Sequence, residues 1–188
     1  MSDRVSDRAG ALPAGLPADC REQSLVVSFF DFSRMTEWAS SEQDGAVALF
    51  LQQFYCLAAE TLEPAGGTVV KFIGDAGLAV FPKESAEPGI FALCDLSAKG
   101  RQLGASHGFD TYLNVNVHVG PVLAGMFGAP GRERYDVLGK TVNIAARLGR
   151  RGVTLSQQAF RCLSPEGRAR FDKVLPPVSY RLRAGKGA

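Results

Sequence analysis

The sequence holds only two histidines, His107 and His118, and four cysteines, Cys20, Cys56, Cys94 and Cys162. The cysteines are far apart, form no C-x-x-C and have no histidine close in sequence, so a structural zinc site is not expected. They read as reduced thiols of a cytoplasmic protein, three of them in helices as small hydrophobes. No run approaches the roughly 20 consecutive apolar residues of a membrane span, so membrane insertion is not expected. The charged start, Met-Ser-Asp-Arg-Val-Ser-Asp-Arg, has no apolar signal core after it. Charge of one sign is also missing, since 21 basic and 19 acidic residues leave a net charge of +2. That balance argues against a dedicated nucleic-acid partner. No internal repeat is visible.

The chain has 188 residues, 46% hydrophobic and 21% charged, enough for one domain with a real core. Residues 1–23, rich in Ala, Gly, Pro, Asp and Arg, read as a flexible leader or linker, and 24–188 as the folded domain. Leu25–Phe30 reads as a buried strand and 44–63 as an amphipathic helix, ended by Pro64 and Gly66-Gly67. Thr68–Phe72 and Gly77–Phe81 read as a hairpin turning at Gly74-Asp75. A second helix follows over 84–104. Thr111–Val119 and Val122–Phe127 read as a second strand pair broken by Gly120-Pro121. A polar loop over 128–135 leads to a helix with Asn143 and Arg147. A strand near Val153–Leu155, a helix from Ser156 and one or two strands after Arg168 complete the chain. The order predicts an α/β (α+β) sandwich with a ferredoxin-like βαββαβ core. Its sheet is mostly antiparallel, with helices packed on one face and a C-terminal extension.

Two carboxylates stand out. Asp31 ends the apolar run Leu25-Val-Val-Ser-Phe-Phe-Asp31, and Asp75 lies in Lys71-Phe-Ile-Gly-Asp75. Two anions ~4 Å apart repel by roughly 4 kcal/mol at an effective dielectric near 20, so a fold that gathers them needs a cation, a shared proton or distance. Asn143 and Arg147 are one helical turn apart and share a face, with Val142, Ala145 and Ala146 left to pack the other. An amide beside a guanidinium suits phosphate and sugar oxygens.

Four spaced motifs together resemble the catalytic domain of class III nucleotidyl cyclases. Phe29-Phe-Asp31 resembles that family's F-x-D strand end, and Gly66-Gly-Thr-Val-Val-Lys-Phe-Ile-Gly-Asp75-Ala its hairpin. His118-Val-Gly-Pro-Val-Leu-Ala-Gly resembles its H-x-G-x-x-x-A-G segment. Tyr135-Asp136 through Arg147 resembles its Y-D-x-x-G-x-x-V-N-x-A-A-R segment. The resemblance implies an adenylyl cyclase, converting ATP to 3′,5′-cyclic AMP and pyrophosphate, a phosphorus–oxygen lyase. It implies two Mg²⁺ or Mn²⁺ ions on Asp31, Asp75 and the backbone carbonyl of Phe32. It matches Lys71 and Asp136 to the pair that reads adenine, where guanylyl cyclases resemble one another in using Glu and Cys. Asn143 and Arg147 match the residues that orient the ribose and stabilise the reacting phosphate. Ser33, Arg34, Met35 and Thr36 form the loop that meets the phosphates. It also implies a head-to-tail homodimer, one copy giving the metal carboxylates and the other the purine and Asn/Arg pairs, and it allows for a regulatory domain or partner.

Three departures matter. Arg34 stands where the family usually has glycine, and it either crowds the loop or adds a phosphate contact. A second register, matching Asp31-Phe-Ser-Arg-Met to a G-Y-S-R-L variant, would put Ser28 at the metal position; the ungapped interval to Asp75 favours Asp31. The family's Lys-Gly before the last strand is missing, with Lys173 the nearest substitute. Each site residue also has a plainer reading. Asp31 reads alternatively as a strand-end cap or turn acid and Asp75 as a turn acid, Lys71 as an edge-strand lysine, Asp136 as a helix N-cap, and Asn143 and Arg147 as a solvated face, the motif set favouring the functional reading of each; His118 reads foremost as a packed core histidine. A catalytically weak module that dimerises or senses nucleotide is the alternative from another class, and a guanylyl cyclase a lesser one.

Overall fold

The computed structural model describes residues 12–149, 151–175 and 177–183; residues 1–11 of the expected leader, and Arg150, lie outside them. The elements run β1 (Arg21–Phe32), α1 (Met35–Ala39), α2 (Asp44–Leu62), β2 (Thr68–Ile73), β3 (Ala76–Pro82), α3 (Ala86–Ser106), β4 (Leu113–Phe127), β5 (Arg134–Leu138), α4 (Lys140–Arg147), β6 (Val153–Ser156), α5 (Gln157–Arg161), α6 (Pro165–Arg168), β7 (Phe171–Val174) and β8 (Ser179–Leu182). They build one sheet of eight strands in the order β2-β3-β1-β4-β6-β8-β7, with β5 paired to β4. The β4–β6 pair is parallel, and the other pairings are antiparallel. This is the mixed α+β sandwich that the sequence predicts.

Strand β1 shows how the sheet makes two cores. Side chains alternate across a strand, and here both sides are covered. Val26, Phe30 and Phe32 join the larger core under α2 and α3, while Leu25, Val27 and Phe29 join a smaller one with Val137, Val142 and Ala145. Helix α4 therefore covers the second face of the sheet, which corrects the expectation of helices on one face only. Within α4, Thr141 and Ala145 are buried and Ala146 is exposed, so the packed stripe is narrower than Val142, Ala145 and Ala146.

Two further expectations change. Leu113–Phe127 is one continuous strand, paired with β1 along Arg21–Phe32, not two strands broken at Gly120-Pro121. Proline cannot donate to a ladder. On the second edge of β4 its neighbours are engaged from Val115 to Val117, with Val153–Leu155, and again from Leu123, with Leu138. Pro121 falls in the gap between, where no donor is required. Strand β1 also begins at Arg21, ahead of Leu25, because Arg21–Gln23 pair with Val122–Ala124.

Helix α2 with its following turn, 44–65, is long and apolar enough by length and composition to cross a membrane; counting consecutive apolar residues misses it. Its stripe of Phe50, Phe54, Ala58 and Leu62 is buried in the larger core. Phe32 packs there against Phe54, with ring centroids 4.7 Å apart, and this fixes the end of β1 where Asp31 emerges. At the neighbouring hairpin Gly74 supplies φ +60° for the turn. A Cβ at Gly77 would run into the Phe30 ring.

Candidate active site

Asp31 and Asp75 meet at the ends of adjacent strands. Asp31 is exposed at the end of β1, and Asp75 is half-buried in the β2–β3 turn. The carboxyl of Asp75 is raised above its ordinary value by burial first and by the charge of Asp31, and is lowered by backbone N–H groups of Asp75 itself and Phe32. Asn114, opposite Asp31 across β1 and β4, donates its Nδ2 to Asp31 Oδ2 at 3.2 Å. The pair is thus a coupled anionic site with one member partly withdrawn from water, the donor chemistry that a hard divalent cation fits. No group of three or more His, Cys, Asp or Glu gathers among the described residues, so further ligands to such a cation would be neutral oxygens: backbone or amide carbonyls, hydroxyls, water or substrate. Ser28 is fully buried, on the α2–α3 side of β1, which removes the register that would place it at the metal.

Asp31 lines a cleft of about 690 Å³ together with Phe32, Ser33, Arg34, Asn114 and Arg147. Asn114 and Asn116 are 5% and 3% exposed. Asn116 donates to the Gly149 carbonyl at 2.9 Å, and the side-chain oxygens of both asparagines are buried without a partner. Neither was singled out from sequence. Their signal is the alternation Leu113-Asn-Val-Asn-Val-His-Val119, which sets Asn114, Asn116 and His118 in a row on one side of the strand.

Lys71 and Asp136 come together 65 positions apart in the chain, with Lys71 Nζ donating to Asp136 Oδ2 at 2.6 Å. Strand β2 is an edge strand, and a bulge between Val69 and Lys71 resets its register. Lys71 is therefore an edge lysine with a specific partner. Asp136 is not a helix cap: it lies within β5, its Oδ1 accepts from the N–H of Val137 at 2.8 Å, and Gly139 is the N-cap of α4. An ammonium has three protons and a carboxylate several lone pairs. The pair therefore still offers a donor beside an acceptor.

Asn143 and Arg147 are exposed on α4 and line a second, more apolar cavity of about 630 Å³ with Lys140, His118, Pro177 and Val178. Arg147 borders both hollows. Lys140 was not expected there; one helical turn before Asn143, it shares that face. Lys173 lies on β7 opposite Tyr180 and is not among the residues lining either hollow, whereas Pro177 and Val178 are. His118 is buried, its Nδ1 2.8 Å from Ser156 Oγ, and burial lowers its pKa. His107 Nε2 contacts Gln53 Oε1 at 2.7 Å.

In the loop after β1, Arg34 adopts φ 62° and ψ 17°, left-handed, at the N-cap of α1. Its Nε donates to Glu37 Oε2 at 3.1 Å and its Nη1 to Asp110 Oδ2 at 3.4 Å. Ser33 is fixed by its N–H to the Tyr112 carbonyl and by Thr111; Met35 is buried and Thr36 exposed.

The family described as the adenylate and guanylate cyclase catalytic domain matches residues 19–175. An uncharacterized protein of Mycobacterium tuberculosis is 35% identical over 129 residues, 68% of this chain and 23% of that protein. The chain spans less than a third of the length of the curated relatives it matches. The solved adenylyl cyclase CyaB from P. aeruginosa superposes with a TM-score of 0.78 at 18% identity, over 90% of this chain and 98% of that one. The guanylyl cyclase Cya2 superposes with a TM-score of 0.76 at 16% identity, over 90% and 98%. The structural likenesses show the fold, which adenylyl and guanylyl cyclases share. On the sequence match over most of its length, joined to this fold, the chain belongs to the adenylate and guanylate cyclase catalytic domain family.

Proposed function

We propose that this chain is an adenylyl cyclase, converting ATP to 3′,5′-cyclic AMP and pyrophosphate at sites shared by two head-to-tail copies in the cytoplasm. The observation that carries the base assignment is the Lys71–Asp136 pair, at 2.6 Å. Adenine presents the N1 acceptor beside the 6-amino donor, and an ammonium beside a carboxylate answers both; guanine reverses that order. Asp31, Asp75 and the Phe32 carbonyl would hold two Mg²⁺ or Mn²⁺ ions. When bound, these lower the pKa of the 3′-hydroxyl and offset charge on the triphosphate.

In this reading the 3′-oxygen attacks the α-phosphorus, and the bond to the bridging oxygen breaks to release pyrophosphate. Asn143 orients the ribose, and Arg147 stabilises charge on the reacting phosphate. The Ser33–Thr36 loop meets the phosphates. Neither histidine borders the cleft beside Asp31, so no imidazole is assigned as general base. What favours the two-copy arrangement is that neither Lys71 nor Asp136 is among the residues lining that cleft. A second reading, a catalytically weak module of the same family, is favoured by Arg34 in the loop and by Pro177 and Val178 where a lysine is expected.

The test is cyclic nucleotide formation by the purified chain with Mn²⁺, ATP and GTP being offered separately. Cyclic AMP from ATP is expected. Lys71→Ala and Asp136→Ala each should lower kcat/KM for ATP by about 10- to 100-fold, the loss expected when one hydrogen-bond partner of a part-buried pair is removed. Preference for GTP, or silence from a verified dimer, would sink the adenylyl assignment.

A further inference from the structure

We infer that the Arg34 side chain is a polyphosphate clamp, held in reserve by Glu37 and Asp110 and transferred to the terminal phosphates of the substrate and to pyrophosphate. This rests on the cyclase reading and adds to it, since the family's pattern offers only a glycine there.

Four observations carry it. First, Arg34 stands on the rim between two hollows. It borders the cleft that holds Asp31 and a smaller one of about 220 Å³ with Glu37 and Asp110. Second, the residues lining the Asp31 cleft include two cations, Arg34 and Arg147. The cavity beside α4 is walled by Pro177 and Val178 at the β7–β8 tip, so that tip brings no charge to a polyphosphate. Third, Arg34 is the non-glycine residue with positive φ among the described residues. An L-residue rarely adopts that backbone, and here it carries a guanidinium to the rim where a glycine would leave nothing. Fourth, the present partners hold it loosely. The side chains of Arg34, Glu37 and Asp110 are 55%, 70% and 96% exposed, and ion pairs so open to water are weak and screened. A phosphate, taking the planar fork through two parallel hydrogen bonds, is the stronger acceptor.

Glu37 and Asp110 therefore compete with the ligand for one guanidinium, and they also repel a polyanion. This fixes the signs of the test. Binding of pyrophosphate with Mn²⁺ to the full chain is measured by titration calorimetry, and pyrophosphate inhibition of cyclic AMP formation beside it. Arg34→Ala should weaken pyrophosphate binding by about tenfold, and Arg34→Lys by less, because a point charge loses the fork. The Glu37→Gln, Asp110→Asn double variant should tighten it by about threefold, by freeing the guanidinium. Unchanged affinity in Arg34→Ala would overturn the proposal. So would weaker binding in the double variant, since Arg34 would then serve only to tie α1 to the turn before β4. Should Arg34→Ala fail to fold, Arg34→Lys and the double variant still decide. Failure of the wild-type chain to form any cyclic nucleotide would remove the cyclase reading alone, because the calorimetric series needs no turnover.

Discussion

At the scale of single residues, Asp75 is where fold and proposed chemistry pull in opposite directions. Burial and the charge of Asp31 raise its carboxyl, and two backbone N–H groups only partly compensate. A raised acid in the folded chain binds a proton that the unfolded chain has released. Stability therefore falls as pH rises from the ordinary carboxylate value of 3.8 through the raised one. At neutral pH the ionised group stays at a cost unless a cation offsets it. Asp75→Asn should therefore raise the thermal midpoint of the metal-free chain at pH 7. The wild-type chain should gain a further rise on adding Mn²⁺ that the variant lacks. Thermal melts with and without Mn²⁺ check both. A lower midpoint in the metal-free variant would mean that Asp75 is chiefly a structural acceptor for the Phe32 N–H.

At the scale of elements, β4 separates what was legible in the sequence from what was not. Period-2 alternation showed a strand, and the helical stripe of Phe50, Phe54 and Ala58 showed α2, because both patterns are local. Asp31 and Asp75 were legible for the same reason: each ends a short apolar run. The continuity of β4 through Pro121 was not, since it depends on which part of its second edge has a partner. The burial of Asn114 and Asn116 was hidden too, because Gly149, whose carbonyl accepts the Asn116 hydrogen bond, lies 33 positions away. Nothing about an arginine announces a left-handed turn, so Arg34 stayed ambiguous until its φ was known. His118, on the same strand, was legible as a packed histidine and yields a pH prediction. Burial holds it below its ordinary 6.5, with Lys140 and Arg147 bordering the same cavity. A depressed base leaves the unfolded chain binding more protons, so its contribution to stability is lost as pH falls below about 6.5. The urea midpoint should drop between pH 7.5 and 5.5, and less so in His118→Asn. Equal drops in the two proteins would place His118 in contact with solvent.

At the scale of the whole molecule, the question is how many chains make one site. Within a single chain Arg147 and Asp31 border one cleft, while Lys71 and Asp136 hold each other and are not among the residues that line it. A site complete in one chain would need the base-reading pair to act away from the carboxylates. In the proposed site shared by two copies no such reach is needed, because the carboxylates of one would meet the Lys71–Asp136 and Asn143–Arg147 sets of the other. The two arrangements differ in complementation. Take one chain carrying Asp75→Asn and another carrying Arg147→Ala, each inactive alone. In a head-to-tail heterodimer both lesions fall in one site, and the other site is intact. Mixed one to one with free exchange, half of the dimers would be hetero and half of their sites functional, so activity should return to about a quarter of wild type. A site contained in one chain would give no return at any mixing ratio. Size-exclusion of the mixture confirms that exchange took place, and dilution below the dimer's dissociation constant should abolish the recovered activity as it abolishes that of the wild type.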